Sequence, residues 1–294
     1  MKRNIPHILF LAASISLGFQ STAAVGNLIT LTDGSSVVTI NPNSTGVRGV
    51  NYWSVNGAVG MNQLQQQWFW YRIGDSGPEA SIDTLGNLNS GIYRGTRGAY
   101  VSYSDPIKNL NVEVDYLLTG GSPFDGKSDL GESITIKNTS TFSQTIHFFQ
   151  YSNFDLQGVS SGDMLQFSLN SQSNKVNSVT QTKGLSSLTE TVVTPPADHY
   201  EGNLYPGTLN RLNDGGPDTL SDLPVTPTTA GPGNMTWAFQ WDMTLLPGGT
   251  FLISKDKRMY VDPVSFVPEP TSFALLGTAT LGLLGFALRR RKPV

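Results

Sequence analysis

Alternation between apolar and polar residues limits the fold of this sequence more than any other feature. From Met235 to Leu245, the odd-numbered residues are Met, Trp, Phe, Trp, Met and Leu, and the even-numbered residues are Thr, Ala, Gln, Asp and Thr. Because successive side chains of a β-strand point to opposite faces, this pattern predicts a strand with one side in the core and the other in solvent.

Shorter runs with the same period recur along the chain. Clear ones lie at 112–118, 134–136, 142–151, 165–169 and 251–253, and weaker ones at 28–31, 37–40, 50–55, 67–73, 99–103 and 188–193. Between residues 25 and 266, only the segment around Met61 to Gln67 shows a helical period, and we expect a short helix there. Many strands, frequent turn residues and no fixed repeat predict an all-β fold, namely a single large antiparallel β-sandwich.

A segment rich in proline and glycine interrupts the alternation between residues 194 and 234. Its prolines are Pro195, Pro196, Pro206, Pro217, Pro224, Pro227 and Pro232. We therefore predict a long loop over 194–234, with a short helix near Thr208 to Leu212. Loops of this length are either functional or poorly ordered. A boundary between two domains is the alternative.

The N-terminus has the layout of a secretory signal peptide. Lys2 and Arg3 precede an apolar run from Ile8 to Phe19, and small residues follow up to Ala24. The run is too short to cross a bilayer, so we predict a signal peptide over 1–24 that signal peptidase cleaves after Ala24. An ordinary buried helix is the alternative.

The other terminus contains a short apolar stretch between two distinctive flanks. Pro268, Glu269 and Pro270 precede an uncharged stretch over 271–288, and four basic residues follow at 289–292. Eighteen helical residues span about 27 Å, close to the hydrocarbon core of a bilayer. Since basic flanks stay cytoplasmic, we predict a single transmembrane helix with the body of the protein in the periplasm. A plain single-pass anchor has the same outline.

This three-part arrangement resembles the PEP-CTERM sorting signal of exopolysaccharide-producing Gram-negative bacteria. The residues that carry the resemblance are Pro268, Glu269, Pro270, Arg289, Arg290 and Arg291, within a tail over 267–294. The resemblance implies recognition by an exosortase at the inner membrane, removal of the tail, and release or attachment at the cell surface. The resemblance indicates where the protein is sorted, and it leaves the role of the ectodomain over 25–266 open.

Charge and cysteine content exclude several classes of function. Removing the two terminal segments takes six of the 19 basic and one of the 22 acidic residues, which leaves 13 against 21 and a net charge of −8. This balance argues against nucleic-acid partners and favours neutral over anionic glycans. The chain has no cysteine, so disulfides, a thiol nucleophile and cysteine-ligated zinc are excluded.

A search for catalytic patterns returns isolated residues only. The three histidines, His7, His147 and His199, have no zinc-ligand spacing, and no nucleophile elbow or phosphate-binding loop occurs. Carboxylates that could form a glycosidase pair include Asp115, Asp155 and Asp242, but one sequence cannot place two of them at the required separation. We therefore assign no catalytic residue and predict that the protein is not an enzyme.

Two groups of acidic and amide side chains are candidates for calcium, which favours loop oxygens at close spacing. They are Asp125, Asp129 and Glu132, and Asn213, Asp214 and Asp218. Neighbouring glycines make plain turns an equally good interpretation of both groups. We therefore predict no cofactor and no metal, with calcium as the alternative.

The densest aromatic run is Trp68, Phe69, Trp70 and Tyr71. In a strand, Trp68 and Trp70 share one face while Phe69 and Tyr71 share the other, so at least one pair must be buried. A central strand covered by the opposing sheet and by a loop is the favoured interpretation. The alternative is a stacking platform for a glycan, formed by Trp68, Trp70 and Tyr71.

These observations predict an exported, exosortase-sorted protein of the cell surface or extracellular matrix. Its expected role is structural or adhesive, in association with exopolysaccharide. The alternative is a secreted carbohydrate-binding or carbohydrate-cleaving protein, with exposed aromatic rings as stacking platforms and the long loop as a lid.

Overall fold

The computed structural model describes residues 28–43, 45–55, 61–225 and 229–262, and strands dominate this part of the chain. The strands are β1 (Ile29–Asp33), β2 (Ser36–Asn41), β3 (Gly49–Ser54), β4 (Leu64–Ile73), β5 (Ala80–Ser81), β6 (Asn89–Tyr93), β7 (Gly98–Asp105), β8 (Leu110–Gly120), β9 (Lys127–Asn138), β10 (Gln144–Phe154), β11 (Asp163–Leu169), β12 (Val176–Lys183), β13 (Ser186–Thr194), β14 (His199–Leu204), β15 (Thr229–Gly233), β16 (Met235–Leu245) and β17 (Thr250–Tyr260). One short helix, α1 (Gly207–Arg211), and two 3-10 turns, Ile82–Leu85 and Leu156–Gly158, complete the described elements.

The strands form two antiparallel sheets. Sheet I has the order β1-β2-β3-β4-β10-β16-β14, with β5 paired to β4. Sheet II has the order β15-β11-β12-β13-β17-β9-β8-β7-β6. The predicted all-β class is therefore confirmed, and the two sheets pack as a β-sandwich around a shared hydrophobic core.

Aromatic side chains fill much of the core. Phe154 stacks on Trp237 with ring centroids 5.3 Å apart, and Phe69 stacks on Phe148 at 5.6 Å. The indole Nε1 of Trp53 in sheet I donates a hydrogen bond of 2.9 Å to Ser128 Oγ in sheet II. Burial of these large rings, with the indole nitrogens of the buried tryptophans hydrogen-bonded, stabilises the pairing of the two sheets.

The strands predicted from strong alternation are confirmed, including the whole of Met235–Leu245. The short helix predicted around Met61 to Gln67 is wrong, because Leu64 to Gln67 form the start of β4. Four consecutive polar or mixed residues there hide the strand period, and pairing with β10 supplies the stabilisation that local propensity does not. Gly49 sits opposite this strand with a positive φ of 83°, and a Cβ atom there would overlap the ring of Trp68.

The segment over 194–234 contains regular secondary structure and is not simply a loop. It contains β14, the helix α1 predicted near Thr208 to Leu212, and β15. Part of it packs on the face of sheet I that points away from sheet II, called the outer face below. Trp70 Nε1 donates to Asn213 Oδ1 at 3.3 Å, and the backbone N–H of Leu220 donates to Gln240 Oε1 at 2.9 Å. The middle of the outer face is therefore covered.

Several predicted features lie outside the described residues. They are the signal peptide over 1–24 with its cleavage site at Ala24, and the sorting tail over 267–294 with its apolar stretch over 271–288. Among the helices of the described ranges, none is both long and apolar enough to cross a membrane.

Candidate functional site

A polar cleft of about 450 Å³ opens at the end of β10 on the outer face of sheet I. We call it the Asp155 cleft, and its lining residues are Val47, Gln65, Gln66, Asn153, Asp155, Gly158, Ser160, Tyr205, Leu209 and Asn234. Its volume falls within the range of small-molecule sites in proteins.

Three oxygen atoms in this cleft lack a hydrogen-bond partner. They are Oδ1 of Asn153, Oδ1 of Asp155 and Oδ1 of Asn234, and no donor from the described residues reaches any of them. A buried acceptor without a partner destabilises a protein by about 1–3 kcal/mol, so such atoms are rare unless a ligand or water satisfies them. Three such atoms on residues that line one cleft make its lining rich in unsatisfied hydrogen-bond acceptors.

The fold brings these acceptors together from distant parts of the chain. Asn153 is the last residue of β10 to pair regularly with β4, because the register shifts between Asn153 and Phe154. Irregularities of this kind redirect side chains at strand ends. On the other side of the cleft, the backbone N–H of Tyr205 donates to the carbonyl of Asn234 at 2.9 Å, which fixes the two residues beside each other.

Burial acts on two carboxyl groups, Asp155 in the cleft and Asp163 outside its lining. Burial raises the pKa of Asp155, although a hydrogen bond of 2.6 Å from Gln65 Nε2 to Oδ2 opposes the shift. Burial also raises the pKa of Asp163 to about 6, and the charge of Asp155 acts in the same direction. Their oxygens can accept hydrogen bonds from a neutral polar ligand.

Apolar surface accompanies the acceptors. The ring of Tyr205 is half exposed at the rim of the cleft, and Leu209 and Val47 contribute aliphatic surface. An aromatic face beside several hydrogen-bonding groups is the combination that sugar rings require, because their C–H face is apolar and their hydroxyl groups are polar.

A second cluster joins the two described histidines on the same outer face. Nδ1 of His147 lies 2.6 Å from Oδ1 of Asp242, and Nε2 of His199 lies 3.5 Å from Oδ2 of the same carboxylate. Asp75 and Asp222 contact the remaining nitrogens at 3.3 and 2.9 Å. This histidine pair is partly exposed and places two imidazole rings against one carboxylate.

The structure buries the three aromatic side chains that the alternative of a glycan platform requires to be exposed. Trp68, Trp70 and Tyr71 are at most 3% exposed, so none of these rings is open to a ligand. Trp68 Nε1 donates to Ser81 Oγ at 2.8 Å, and Tyr71 Oη pairs with Thr84 Oγ1 at 3.2 Å. The interpretation as a central buried strand is confirmed, because sheet II covers one side and the segment around Asn213 covers the other.

The two candidate calcium groups are not assembled. Asp129 and Glu132 point to opposite faces of β9, and Asp125 instead accepts hydrogen bonds from its own turn. In the other group, Asn213 accepts from Trp70, while Asp218 binds Arg211 at 3.0 Å. Within the described ranges, no group of three or more His, Cys, Asp or Glu residues could hold a metal ion.

The three candidate carboxylates of a glycosidase pair also lie apart. Asp115 is on the outer side of sheet II, whereas Asp155 and Asp242 are on sheet I. Asp242 is opposite His147, and six residues along a strand from His147 to Asn153 cover about 20 Å. A separation of this size exceeds the 5–10 Å or so that glycoside hydrolysis needs.

Asn153, Asn234 and Tyr205 were missed by reasoning from the sequence. Asn153 and Asp155 flank Phe154 at the end of an aromatic strand, and this polar ending is the one local signal that could have drawn attention to them. Asn234 and Tyr205 sit in the proline-rich segment, where nothing in the sequence indicates proximity to β10.

Comparison with protein families assigns the tail. Residues 266–292 match the PEP-CTERM protein-sorting motif, as the resemblance in the sequence predicted. The motif marks an exported protein that an exosortase sorts, with a membrane-anchored stage before processing. No curated protein sequence matches the chain.

Comparison with solved structures concerns the fold. A candidate aldose 1-epimerase from Escherichia coli K12 has a TM-score of 0.52 and 10% identity, covering 80% of this chain and 99% of that protein. A bacterial glucoamylase solved in complex with acarbose has a TM-score of 0.54 and 8% identity, covering 85% of this chain. The matched part spans 35% of the glucoamylase.

These likenesses correct one prediction. The prediction that the chain is not an enzyme is wrong, because the described residues adopt the architecture of a candidate aldose 1-epimerase over nearly the whole length of that protein. The absence of a familiar motif in the sequence was a poor guide, since catalytic groups on a β-sandwich come from separate strands and leave no local signature.

Proposed function

We propose that this chain, which carries a PEP-CTERM sorting motif, is a surface or matrix protein whose ectodomain binds neutral carbohydrate in the Asp155 cleft. The observation that carries the proposal is the group of three unpartnered oxygens, on Asn153, Asp155 and Asn234, within one cleft. Binding to exopolysaccharide would give the exported protein an adhesive role in the matrix.

The chemistry of the cleft fits sugars better than other ligands. Sugar hydroxyl groups donate hydrogen bonds, and the cleft offers amide and carboxyl acceptors beside the exposed ring of Tyr205. The predicted net charge of the body, −8, repels anionic polymers, so a neutral glycan is the better candidate. The fold shared with a candidate aldose 1-epimerase and with a glucoamylase bound to acarbose supports the same substrate class.

The proposal includes a route to the surface. Signal peptidase cleaves after Ala24, and the apolar stretch over 271–288 holds the protein in the inner membrane with its body in the periplasm. An exosortase then processes the tail at Pro268, Glu269 and Pro270.

Affinity electrophoresis tests the binding function. The purified protein is run through gels that contain the neutral exopolysaccharide of the producing organism, with an acidic polysaccharide as a second condition. We expect retardation in the neutral gel, and loss of retardation when Tyr205 and Asn153 are both replaced by Ala. Equal mobility of the wild-type protein with and without neutral polysaccharide would overturn the proposal.

A second candidate function is acid–base chemistry on a sugar. It is favoured by the histidine pair, in which His147 and His199 share the carboxylate of Asp242. Such a group could exchange protons with a sugar hydroxyl or ring oxygen. The test follows anomer interconversion by NMR and new reducing ends chemically, for the wild-type protein and for His147→Gln. A wild-type rate no higher than that of buffer would exclude it.

A further inference from the structure

A cluster of charged side chains lies inside the sandwich, away from both sites described above. Lys255 and Lys257 on β17, Glu132 on β9 and Glu190 on β13 all point from sheet II towards sheet I. Their side chains are at most 1% exposed. Lysine and glutamate are almost never buried this completely unless they are paired. We call these four residues, together with Gln150 of sheet I, the core lysine cluster.

Lys255 is the member that reaches across to the other sheet. Its Nζ contacts the side-chain amide oxygen of Gln150, which is itself fully buried on β10. The same Nζ lies 2.7 Å from Glu132 Oε2 and 3.2 Å from Glu190 Oε1. An amine therefore sits directly against a primary amide, with two carboxylates beside it.

Glu190 contacts both nitrogen atoms of this pair. Its Oε1 accepts a hydrogen bond of 3.2 Å from Lys255 Nζ, and its Oε2 accepts one of 2.8 Å from Gln150 Nε2. Trp237 Nε1 donates to the same Oε2 at 2.9 Å and so fixes the orientation of the carboxylate. A single carboxylate is thus positioned to take a proton from one nitrogen and to deliver a proton to the other.

Burial in the core favours a neutral amine. It lowers the pKa of Lys255, against the opposing effect of the Glu132 and Glu190 carboxylates. The ring of Phe69, 4.9 Å from Nζ, helps to enclose the site. An uncharged lysine is a nucleophile, and an enclosed site with reactants in contact raises the rate of an intramolecular reaction. The neighbouring Lys257 lies 2.8 Å from Glu132 and 3.5 Å from Glu190.

We propose that Lys255 and Gln150 form an intramolecular isopeptide bond. Glu132 takes one proton from the Lys255 ammonium, and the neutral Nζ attacks Cδ of Gln150. Glu190 removes a further proton from Nζ and passes it to the amide nitrogen, which leaves as ammonia as the carbonyl re-forms. The products are one secondary amide, one ammonia molecule and a protonated Glu132. Lys257 then carries the one positive charge of the cluster and Glu190 the one negative charge, so the cluster is neutral.

Such a bond would join the two sheets covalently. It connects β10 to β17 across 105 residues of sequence, in a chain that has no cysteine for disulfides. Closing a long loop restricts the unfolded chain, so the bond would stabilise an exported protein in the way that a disulfide does elsewhere. The competing interpretation is a purely ionic cluster, in which Lys255 and Gln150 stay separate.

Peptide mass spectrometry distinguishes these interpretations. The full-length protein is expressed, purified in its folded state and digested with trypsin. Without a bond, Gln150 appears in the peptide 138–175 and Lys255 ends the peptide 212–255. With a bond, trypsin cannot cut after Lys255, and we expect one species that joins 138–175 to 212–257 with the mass of one ammonia lost.

Two variants give the experiment its controls. Glu190→Gln keeps the shape of the side chain but removes the base, so both peptides should return at their separate masses. Lys257→Arg preserves the neighbouring charge and should retain the joined species. Separate, unmodified peptides from the folded wild-type protein would overturn the proposal whatever the variants show.

Discussion

Gln65 Nε2 donates a hydrogen bond of 2.6 Å to Oδ2 of Asp155, although 90 residues separate the two in the sequence. The second oxygen of the carboxylate, Oδ1, is buried and accepts no hydrogen bond from the described part of the chain. One oxygen therefore holds the side chain in place, and the hydrogen-bonding capacity of the other is unused within the described residues. Division of this kind is typical of a pre-organised binding group.

Asp155→Asn should weaken the binding of neutral exopolysaccharide fragments. The substitution keeps the shape of the side chain but replaces a charged acceptor by a neutral amide. Hydrogen bonds to charged groups contribute about 1.5–3 kcal/mol, which corresponds to an increase in Kd of roughly 10–100-fold. Isothermal titration calorimetry measures Kd directly. The control is Asp214→Asn, an exposed carboxyl outside the cleft, which should leave Kd unchanged. An unchanged Kd in Asp155→Asn would contradict the assignment.

The sequence predicted strands best where one face is purely apolar. In β16 this rule holds over the full length, because every inward residue is hydrophobic. It fails for β14, whose fully buried side chain is Glu201, held by Arg211 at 2.6 Å. It also fails in β17, where Lys255 points inward. Buried charge is tolerated only with a partner from another part of the chain, and a single sequence does not reveal such partners.

The candidate site was less predictable than the fold. Asp155 was named from the sequence, but Asn153, Tyr205 and Asn234 were not, because the cleft combines two strand ends with a turn from the proline-rich segment. The aromatic run showed the opposite problem. The alternative of a glycan platform took its rings as available for sugar, yet Trp70 is covered by the segment around Asn213, 143 residues later in the sequence. Both outcomes depend on contacts that are distant along the chain.

Trp70→Ala should destabilise the protein strongly. The ring is 2% exposed, and its Nε1 donates to Asn213, so the substitution removes buried apolar area and leaves a cavity. Losses for such changes are about 3–5 kcal/mol in the free energy of unfolding. Urea denaturation measures the free energy of unfolding of both proteins. Phe142→Ala is the matched control, because this ring is 58% exposed and its loss should change stability by less than about 0.5 kcal/mol.

A C-terminal epitope tag should be lost from the exported protein only in a host that has an exosortase. The PEP-CTERM motif at 266–292 is the reason, since processing of the tail would remove everything beyond the cleavage point. Immunoblots of surface and membrane fractions from hosts with and without the enzyme measure the tag. Replacing Arg289, Arg290 and Arg291 by Ser should also reduce membrane retention before processing. Equal tag retention in both hosts would contradict processing by an exosortase.

The stability of the ectodomain should fall as the pH rises through the titration of Asp163. Burial raises the pKa of this carboxyl to about 6 in the folded protein, whereas an unfolded aspartate titrates near 3.9. Between these values the folded state binds more protons than the unfolded state, so deprotonation favours unfolding. Asp163→Asn cannot ionise. Its free energy of unfolding should therefore match that of the wild-type protein near pH 4 and exceed it by roughly 1–3 kcal/mol at pH 7. Urea titrations of both proteins at the two pH values measure the difference. A constant difference between the two proteins across this range would show that Asp163 does not carry the effect.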